Sequence, residues 1–369
     1  MILLENDNYL PKYVMVKNKI KNMIEDKDIS PGEKIPSESQ LREEYKVSRH
    51  TIRKAIDLLV TEGILEKRQG IGTFYCGKNG NRTGNIGFIS ISLHDYIFAD
   101  ILSAADDLLH QEGYQIILGN SQDDLKREKN ILLQFLEKDI DGLIIEPAQS
   151  ASSSSNLSIL EEFAKRNIPV LVLDSKYSFE LLNTVLVDDE KGGYIATKHL
   201  IEKGHKKIAM IYKSAHNPAL ARLEGYKRAM READIPLDEA LIRPYNNSEF
   251  SNPLEFEAEI KAIIHDLLEV ESLSAFFAFN DQIAVLVKEI LNELGLTVPN
   301  DISIIGFDDS KMVALNNISI SSIAHPKEKA GKKAAEIIID QIEGAGLKAS
   351  INKMFRPLLI ERGSVRDLK

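Results

Sequence analysis

Between residues 85 and 308 the chain repeats one pattern: a short, almost continuous apolar run followed by a longer stretch with apolar residues three and four apart. The runs read NIGFISI, YQIIL, DGLIIE, PVLVLD, TVLVDD, KKIAMIY, SAFFAF and DISIIGF. An apolar run without alternation suits a strand buried on both faces, the habit of parallel strands covered by helices. The intervening helices are expected near 98–112, 123–138, 157–167, a segment ending at Gly204, 219–233, 254–270 and 282–294. This alternation predicts a doubly wound α/β domain large enough for two lobes.

Open parallel sheets bind ligands at the carboxyl ends of their strands, so the polar residues that close each apolar run are the informative ones. They are Glu146, Asp174, Asp281, Asp308 and Asp309, joined by Arg222 near the start of the helix ARLEGYKRAM. Carboxylates accept hydroxyl protons and a guanidinium donates in a fixed fork, which equips such a cleft to grasp a small polyol. Tyr96, Glu146 and Asp174 suit a pentose and would suit other sugars too. Asp189 and Asp308 are read as caps of the helices that follow them, the usual duty of a strand-end aspartate.

The first 76 residues follow a different plan. Lys12 to about Lys27 has Val16, Ile20, Met23 and Ile24 on one side and lysines on the other, a helical pattern. Ser37 and Gln40 have capping-box spacing at the head of a second helix, SESQLREEY. After the turn KVS comes SRHTIRKAIDLLVTEG, where Ile52, Ala55, Ile56, Leu59 and Val60 form an apolar stripe, Ser48 is placed to cap and Gly63 to stop the helix. Arg49, His50, Arg53 and Lys54 lie off that stripe. ILEK and TFYC around RQGIG then read as a hairpin, which completes a winged helix-turn-helix. In that motif the N-terminal part of the second helix of the pair meets base edges, where arginines can grip guanine N7 and O6. GKNGNRTG, 77–84, reads as a linker, giving domains at 1–76 and 85–369.

Composition narrows the function classes. The net charge is −10, yet residues 1–76 hold 13 Lys+Arg against 12 Asp+Glu and the remainder 33 against 44. DNA contact must therefore be local, and two copies acting together would strengthen it. No apolar run approaches a membrane span, and the start MILLENDNYL lacks the marks of a secretory signal, so a cytoplasmic protein is expected. One cysteine, Cys76, excludes a disulfide framework and reads as a small buried apolar residue. No Walker loop, G-x-S-x-G elbow or H-E-x-x-H stands in the sequence, and the eight histidines lack ligand spacing, so neither an enzyme nor a metal or cofactor site is expected.

Two resemblances sharpen these expectations. The run from PKYVMVKNKI through GEKIPSESQL, VSRHTIRKAI and GILEKRQGIGTF resembles the DNA-binding domain of GntR-type bacterial regulators. That resemblance implies contacts to double-stranded operator DNA by Lys12, Tyr13, Ser37 and Gln40 at the backbone and by Arg49 and Arg53 in the major groove. It also places Ser48, His50 and Thr51 at the DNA, with Gln69 and Gly70 of the wing in the minor groove; His50 either contacts DNA or packs on the preceding helix. Residues 85–361, with VDDEKGGYIATKHLIEKGHKKIAMI, RLEGYKRAM, AFNDQIAV, VPNDISIIGFDD and ISSIAHP, resemble the effector domain of LacI and galactose-type repressors. That family is similar to two-lobed periplasmic sugar-binding proteins and dimerises through its lobes. Its signature arginine and aspartate fall on Arg222 and Asp281, each at a sugar hydroxyl, and His325 falls where the chain crosses between lobes. A GntR-type head on a LacI-type body resembles the arabinose repressors of Gram-positive bacteria, which implies a homodimeric regulator released by L-arabinose. A different pentose, a hexose or a nucleoside remains open as effector, and a sugar-transport or sugar-converting protein is the alternative of another class.

Overall fold

The computed structural model describes residues 11–26, 29–30, 32–76, 82–93, 96–152, 155–177, 181–246, 252–314, 319–344 and 349–369. The chain divides into two compact units, Met1–Gly84 and Asn85–Lys369.

The first unit holds α1 (Lys12–Asp26), α2 (Glu38–Tyr45), α3 (Arg49–Thr61) and the hairpin β1 (Leu65–Arg68) with β2 (Gly72–Tyr75). Its core is a single cluster in which Val16, Ile20, Met23 and Ile24 of α1 meet Leu41 of α2 and Ile52, Ala55, Ile56 and Leu59 of α3. Tight local chemistry sets the angle between α2 and α3. Lys46 ends α2 in the left-handed conformation, φ 51°, and Ser48 starts α3 two residues later by accepting from the Thr51 N–H. Lys34 bridges to Phe74 as a third short edge of the wing. This is a winged helix-turn-helix with a core of its own.

The second unit has two six-stranded sheets. The first lobe runs β3 (Asn85–Ser90), α4 (Tyr96–Gln111), β4 (Gln115–Asn120), α5 (Leu125–Glu137), β5 (Gly142–Ile145), α6 (Leu157–Lys165), β6 (Val170–Leu173) and β7 (Asn183–Val187). The second runs α7 (Asp189–Glu202), β8 (Ile208–Lys213), α8 (Asn217–Glu232), β9 (Ile242–Tyr245), α9 (Pro253–Leu268), β10 (Ala275–Ala278), α10 (Asp281–Glu293), β11 (Ser303–Asp308), α11 (Lys311–Ala314) and β12 (Ser321–Ala324). The chain returns to the first lobe with α12 (Lys327–Glu343) and β13 (Asn352–Phe355), then adds β14 (Leu358–Ile360) to the second. Sheet orders are β13-β7-β6-β5-β3-β4 and β14-β12-β11-β10-β8-β9, parallel throughout except for β14.

Burial on both faces explains the continuous apolar runs. In β8, Ala209 and Ile211 enter the core under α9 and α10, while Ile208 and Met210 enter the core under α7 and α8. In β3, Ile86 and Phe88 face α4 and α12, and Ile89 faces α5 and α6. Four strands escape the sequence pattern: β9, β12, β13 and β14 are short, and β9, β13 and β14 are edges. Cys76 is half-buried rather than a core residue, and burial pushes its thiol pKa up.

Helices α7 and α8 touch backbone to backbone, because Gly193 lies against the Arg222 carbonyl and Gly225 against the Glu190 carbonyl. A Cβ at either position would overlap main-chain atoms that have no flexible end to yield. Gly193→Ala should therefore cost about 1–3 kcal/mol, the usual penalty of overpacking. Urea denaturation of the two proteins measures it, and a change under about 0.5 kcal/mol would mean that the helices adjust freely.

Candidate functional site

The first unit presents its polar side chains around the start of α3. Arg49 and Arg53, one turn apart, keep 71% and 52% of their side chains exposed and share one acidic partner, Glu38 Oε2, at 3.5 Å each. Glu38 is the first residue of α2, so the capping of that helix fixes the carboxylate that holds both arginines. Sequence reading missed Glu38; its spacing of 11 and 15 residues from the arginines carries no local signal. Ser37 and Gln40 form the expected reciprocal capping box, with the Ser37 N–H donating to Gln40 Oε1 at 2.8 Å. Ser48 and Thr51 lie together, hydroxyl to hydroxyl at 2.8 Å. The Lys54 ammonium sits 3.9 Å over the Tyr13 ring, which ties the start of α1, where Lys12 also stands, to α3. His50, Gln69 and Gly70 are exposed, Gly70 with φ 74° at the tip between β1 and β2.

In the second unit a constellation forms at the carboxyl ends of the strands, centred on Arg222. This arginine is 5% exposed. Its Nε donates to Asp189 Oδ1 at 2.8 Å, one terminal nitrogen donates to the Phe279 carbonyl at 2.7 Å, and the other lies 3.7 Å from Asp308 Oδ1. The guanidinium also stacks 3.5 Å from the Phe307 ring centroid. Although burial opposes its charge, Asp189 and then Asp308 hold its pKa above the ordinary value.

Two acids read as caps thus belong to this constellation. The cap of α7 is Asp188, which accepts from the Lys191 N–H at 3.0 Å, while Asp189 turns inward to Arg222. Asp308 is fully buried with φ 102°, a region costly for any residue with a Cβ. Asp309 instead pairs with Arg362, on the C-terminal segment. The reverse correction applies to Asp281. It is 0% exposed, and its two oxygens accept from the Ser310 N–H at 2.6 Å and the Ser322 hydroxyl at 2.7 Å. It underpins the loop after β11 rather than lining a ligand surface, and Gly306 leaves the room its carboxylate occupies.

Asp174, with φ 51°, and His325 meet between the lobes, His325 Nε2 lying 3.3 Å from both carboxylate oxygens. Burial works against the imidazolium, but the Asp174 charge and hydrogen bond raise the His325 pKa. His325 Nδ1 is buried with no protein partner, an atom whose desolvation costs about 1–3 kcal/mol until something hydrogen-bonds to it. Glu146 braces the end of β3, its Oε2 3.4 Å from the Ser90 hydroxyl and from the Ile91 N–H. Tyr96 opens α4, and its side chain lies outside the described residues. Among the described residues no group of three His, Cys, Asp or Glu is placed to hold a metal ion, and no helix is long and apolar enough to cross a membrane.

Comparison with known proteins matches these two halves. Residues 12–74 match the family of bacterial regulatory proteins of the gntR family, and residues 197–365 match the periplasmic binding protein-like domain. Over its whole length the chain is similar to the arabinose metabolism transcriptional repressor of Geobacillus stearothermophilus, 34% identical over 97% of this chain and 99% of that protein. The protein of the same name from Halalkalibacterium halodurans is 33% identical over 97% of both. The chain belongs to the GntR-headed, LacI-bodied family of bacterial transcriptional repressors. Among solved structures, a LacI family regulator from Enterococcus faecium with bound ribose has 28% identity and a TM-score of 0.66, covering 77% of this chain and 100% of that one. A regulator from Alkaliphilus metalliredigens complexed with D-xylulofuranose has 25% identity and a TM-score of 0.64, covering 77% and 99%. This is a DNA-binding transcriptional repressor of the kind whose body senses a sugar.

Asp281 holds the loop after β11 through the Ser310 N–H, so its protonation state bears on stability. Burial, then the Asp308 charge, pushes the Asp281 pKa up to about 7. A carboxyl raised on folding contributes stability that is complete below its unfolded value and is lost as pH rises through the folded one. Unfolding free energy should then fall between pH 4 and pH 7, by at most about 1.4 kcal/mol per pH unit from this group. Asp281→Asn should flatten that slope in urea titrations at a series of pH values; parallel slopes in parent and variant would show that folding does not raise the Asp281 pKa.

Proposed function

We propose that this repressor silences sugar-utilisation genes and leaves its operator when L-arabinose enters the cleft between the lobes. The whole-length likeness to two arabinose metabolism repressors carries the reading, because it spans both the head and the body. The chemistry of the cleft supports it. Arg222 and His325 supply donors, Asp174 and Asp308 supply acceptors, and Glu146 stands after β5; Tyr96, at the head of α4, is assigned to the same site. A ligand hydroxyl would satisfy His325 Nδ1, and the acids around Arg222 disfavour a phosphorylated ligand by like-charge repulsion. Asp281 acts behind Asp308, as a positioning residue.

On this reading Arg49 and Arg53 contact bases in the major groove, Gln69 and Gly70 enter the minor groove, and Lys12, Tyr13, Ser37, Gln40, Ser48, His50 and Thr51 lie along the sugar-phosphate backbone. Two chains pair through their bodies and present two heads to a roughly palindromic operator. Sugar releases DNA only to the extent that it prefers the body conformation in which the heads are wrongly spaced. A second reading, in which another pentose is the effector, draws on the ribose and D-xylulofuranose found in the related solved structures.

Titration calorimetry with a panel of pentoses and hexoses separates the two. L-arabinose should bind selectively, and Asp308→Asn should abolish binding while leaving operator affinity unchanged. Selective binding of ribose or xylulose would move the effector assignment to the second reading. For the head, Arg49→Ala should cost about 1–3 kcal/mol of operator affinity and relax preference at one base pair. Equal binding of the parent and the variant across a randomised operator library would remove Arg49 from the recognition surface.

A further inference from the structure

The lobes are joined at one side only. All three chain crossings leave or enter β7, β12, β13 and β14, which stand at the β13-β7 edge of the first sheet and the β14-β12 edge of the second. The far side of the cleft is bounded by β4, the opposite edge of the first sheet, and by β8 with the edge strand β9 in the second. Any opening about the crossings separates the lobes most at this far side.

There the structure places a buried cluster of charges. Asp123, in the loop after β4, pairs with Lys213 at the end of β8 at 2.8 Å. His216 Nε2 lies 3.1 Å from both Asp123 oxygens. The three side chains are only 3%, 4% and 8% exposed, in the order Asp123, Lys213, His216. Neighbouring contacts add to the junction: the Asn217 N–H donates to Ser150 Oγ at 3.0 Å, the Asn217 amide to the Ser150 carbonyl at 3.1 Å, and the Ala151 N–H to the Ala215 carbonyl at 2.9 Å. Behind Asp123 the Gln149 N–H donates to Oδ1 at 3.0 Å, so the acid is aimed by its own lobe. Burial opposes its charge, yet His216 and Lys213 hold the Asp123 carboxyl well below the usual carboxylate range.

Lysine and aspartate are rarely buried unless paired, and removing one partner strands the other without water. The lobe-bridging pair Asp100–Lys311 differs in kind: Lys311 keeps 79% of its side chain exposed, and such pairs are weak. We infer that Asp123, Lys213 and His216 form an ionic clasp opposite the hinge, which sets the balance between closed and open lobes and through it the sugar concentration of the response. The last clause rests on the proposal that lobe closure around a sugar drives release; the clasp itself does not.

The test uses the full chain with Cys76→Ser and spin labels at Lys129→Cys on α5 and Glu224→Cys on α8, both exposed positions. With labelled chain diluted into excess unlabelled chain, so that distances within one chain are read, pulsed electron-spin measurements without sugar should give a single short distance for the parent. Asp123→Asn should add a second population several ångströms longer, and Lys213→Met, which keeps the Asp123–His216 contact, should add a smaller one. Lys213→Met decides alone if Asp123→Asn fails to fold by circular dichroism. Distances unchanged in every folded variant would overturn the clasp. If the parent binds L-arabinose, the variants should bind at least fivefold more weakly; altered distances with equal affinity would overturn the clasp's control of the response. A parent that binds no L-arabinose, with variants that still lengthen, would sink the effector assignment and leave the clasp standing.

Discussion

The body of this repressor depends on a guanidinium kept out of water. Burying Arg222 carries a desolvation cost of several kcal/mol, offset only where its fork meets fixed acceptors. Asp189, the Phe279 carbonyl and Asp308 come from three different elements, α7, the end of β10 and the end of β11. The Phe307 face adds an attraction of about 0.5–2 kcal/mol in a desolvated setting. Removing any one of them leaves the charge less balanced, and the tight contacts to Asp189 and the Phe279 carbonyl carry more of that balance than Asp308 at 3.7 Å.

That dependence reaches the hinge. Asp189 follows directly on the crossing from β7, so the first residue of the second lobe is bound to the centre of the cleft. Close approach of α7 and α8 at Gly193 and Gly225 brings Asp189 and Arg222 within reach. His325, at another crossing, meets Asp174 of the opposite lobe. Two of the three crossings are thus adjacent to ionic contacts at the cleft, which gives a bound ligand a direct physical route to lobe orientation.

Much of this was legible in the chain. Strands buried on both faces announce themselves by composition, and caps such as Ser37 and Ser48 by residue type and spacing. The missed strands have other reasons to exist. Arg243 and Pro244 in β9, and Asn352 and Lys353 in β13, give no apolar run, because an edge strand is held by its neighbour's hydrogen bonds more than by burial. Asp188 and Asp189 look alike in sequence, yet successive helical residues differ by about 100° in direction, so one caps and the other turns to Arg222. Asp281 and Asp308 both follow strands, and only the left-handed backbone at Asp308 with the space left by Gly306 decides which lies beside the arginine. Glu38 and Asp123 act on partners far away in the chain, and no local pattern encodes such pairs.

The head shows how an acidic chain can read DNA. Glu38 places one carboxylate oxygen 3.5 Å from both Arg49 and Arg53, a weak exposed pairing that lowers their attraction for phosphate slightly. A phosphate contact rewards any cation, whereas a base edge rewards a guanidinium in one orientation. With Arg49 and Arg53 reading bases as proposed, an acid beside them weakens binding to arbitrary DNA more than binding to a sequence whose base edges replace Glu38 as acceptor. Residues 1–76 hold 13 Lys+Arg against 12 Asp+Glu, so net attraction for DNA is small and, in the proposed dimer, strong attachment draws on two heads at one site. On that proposal, a change in the spacing of the two heads weakens attachment without altering either recognition helix.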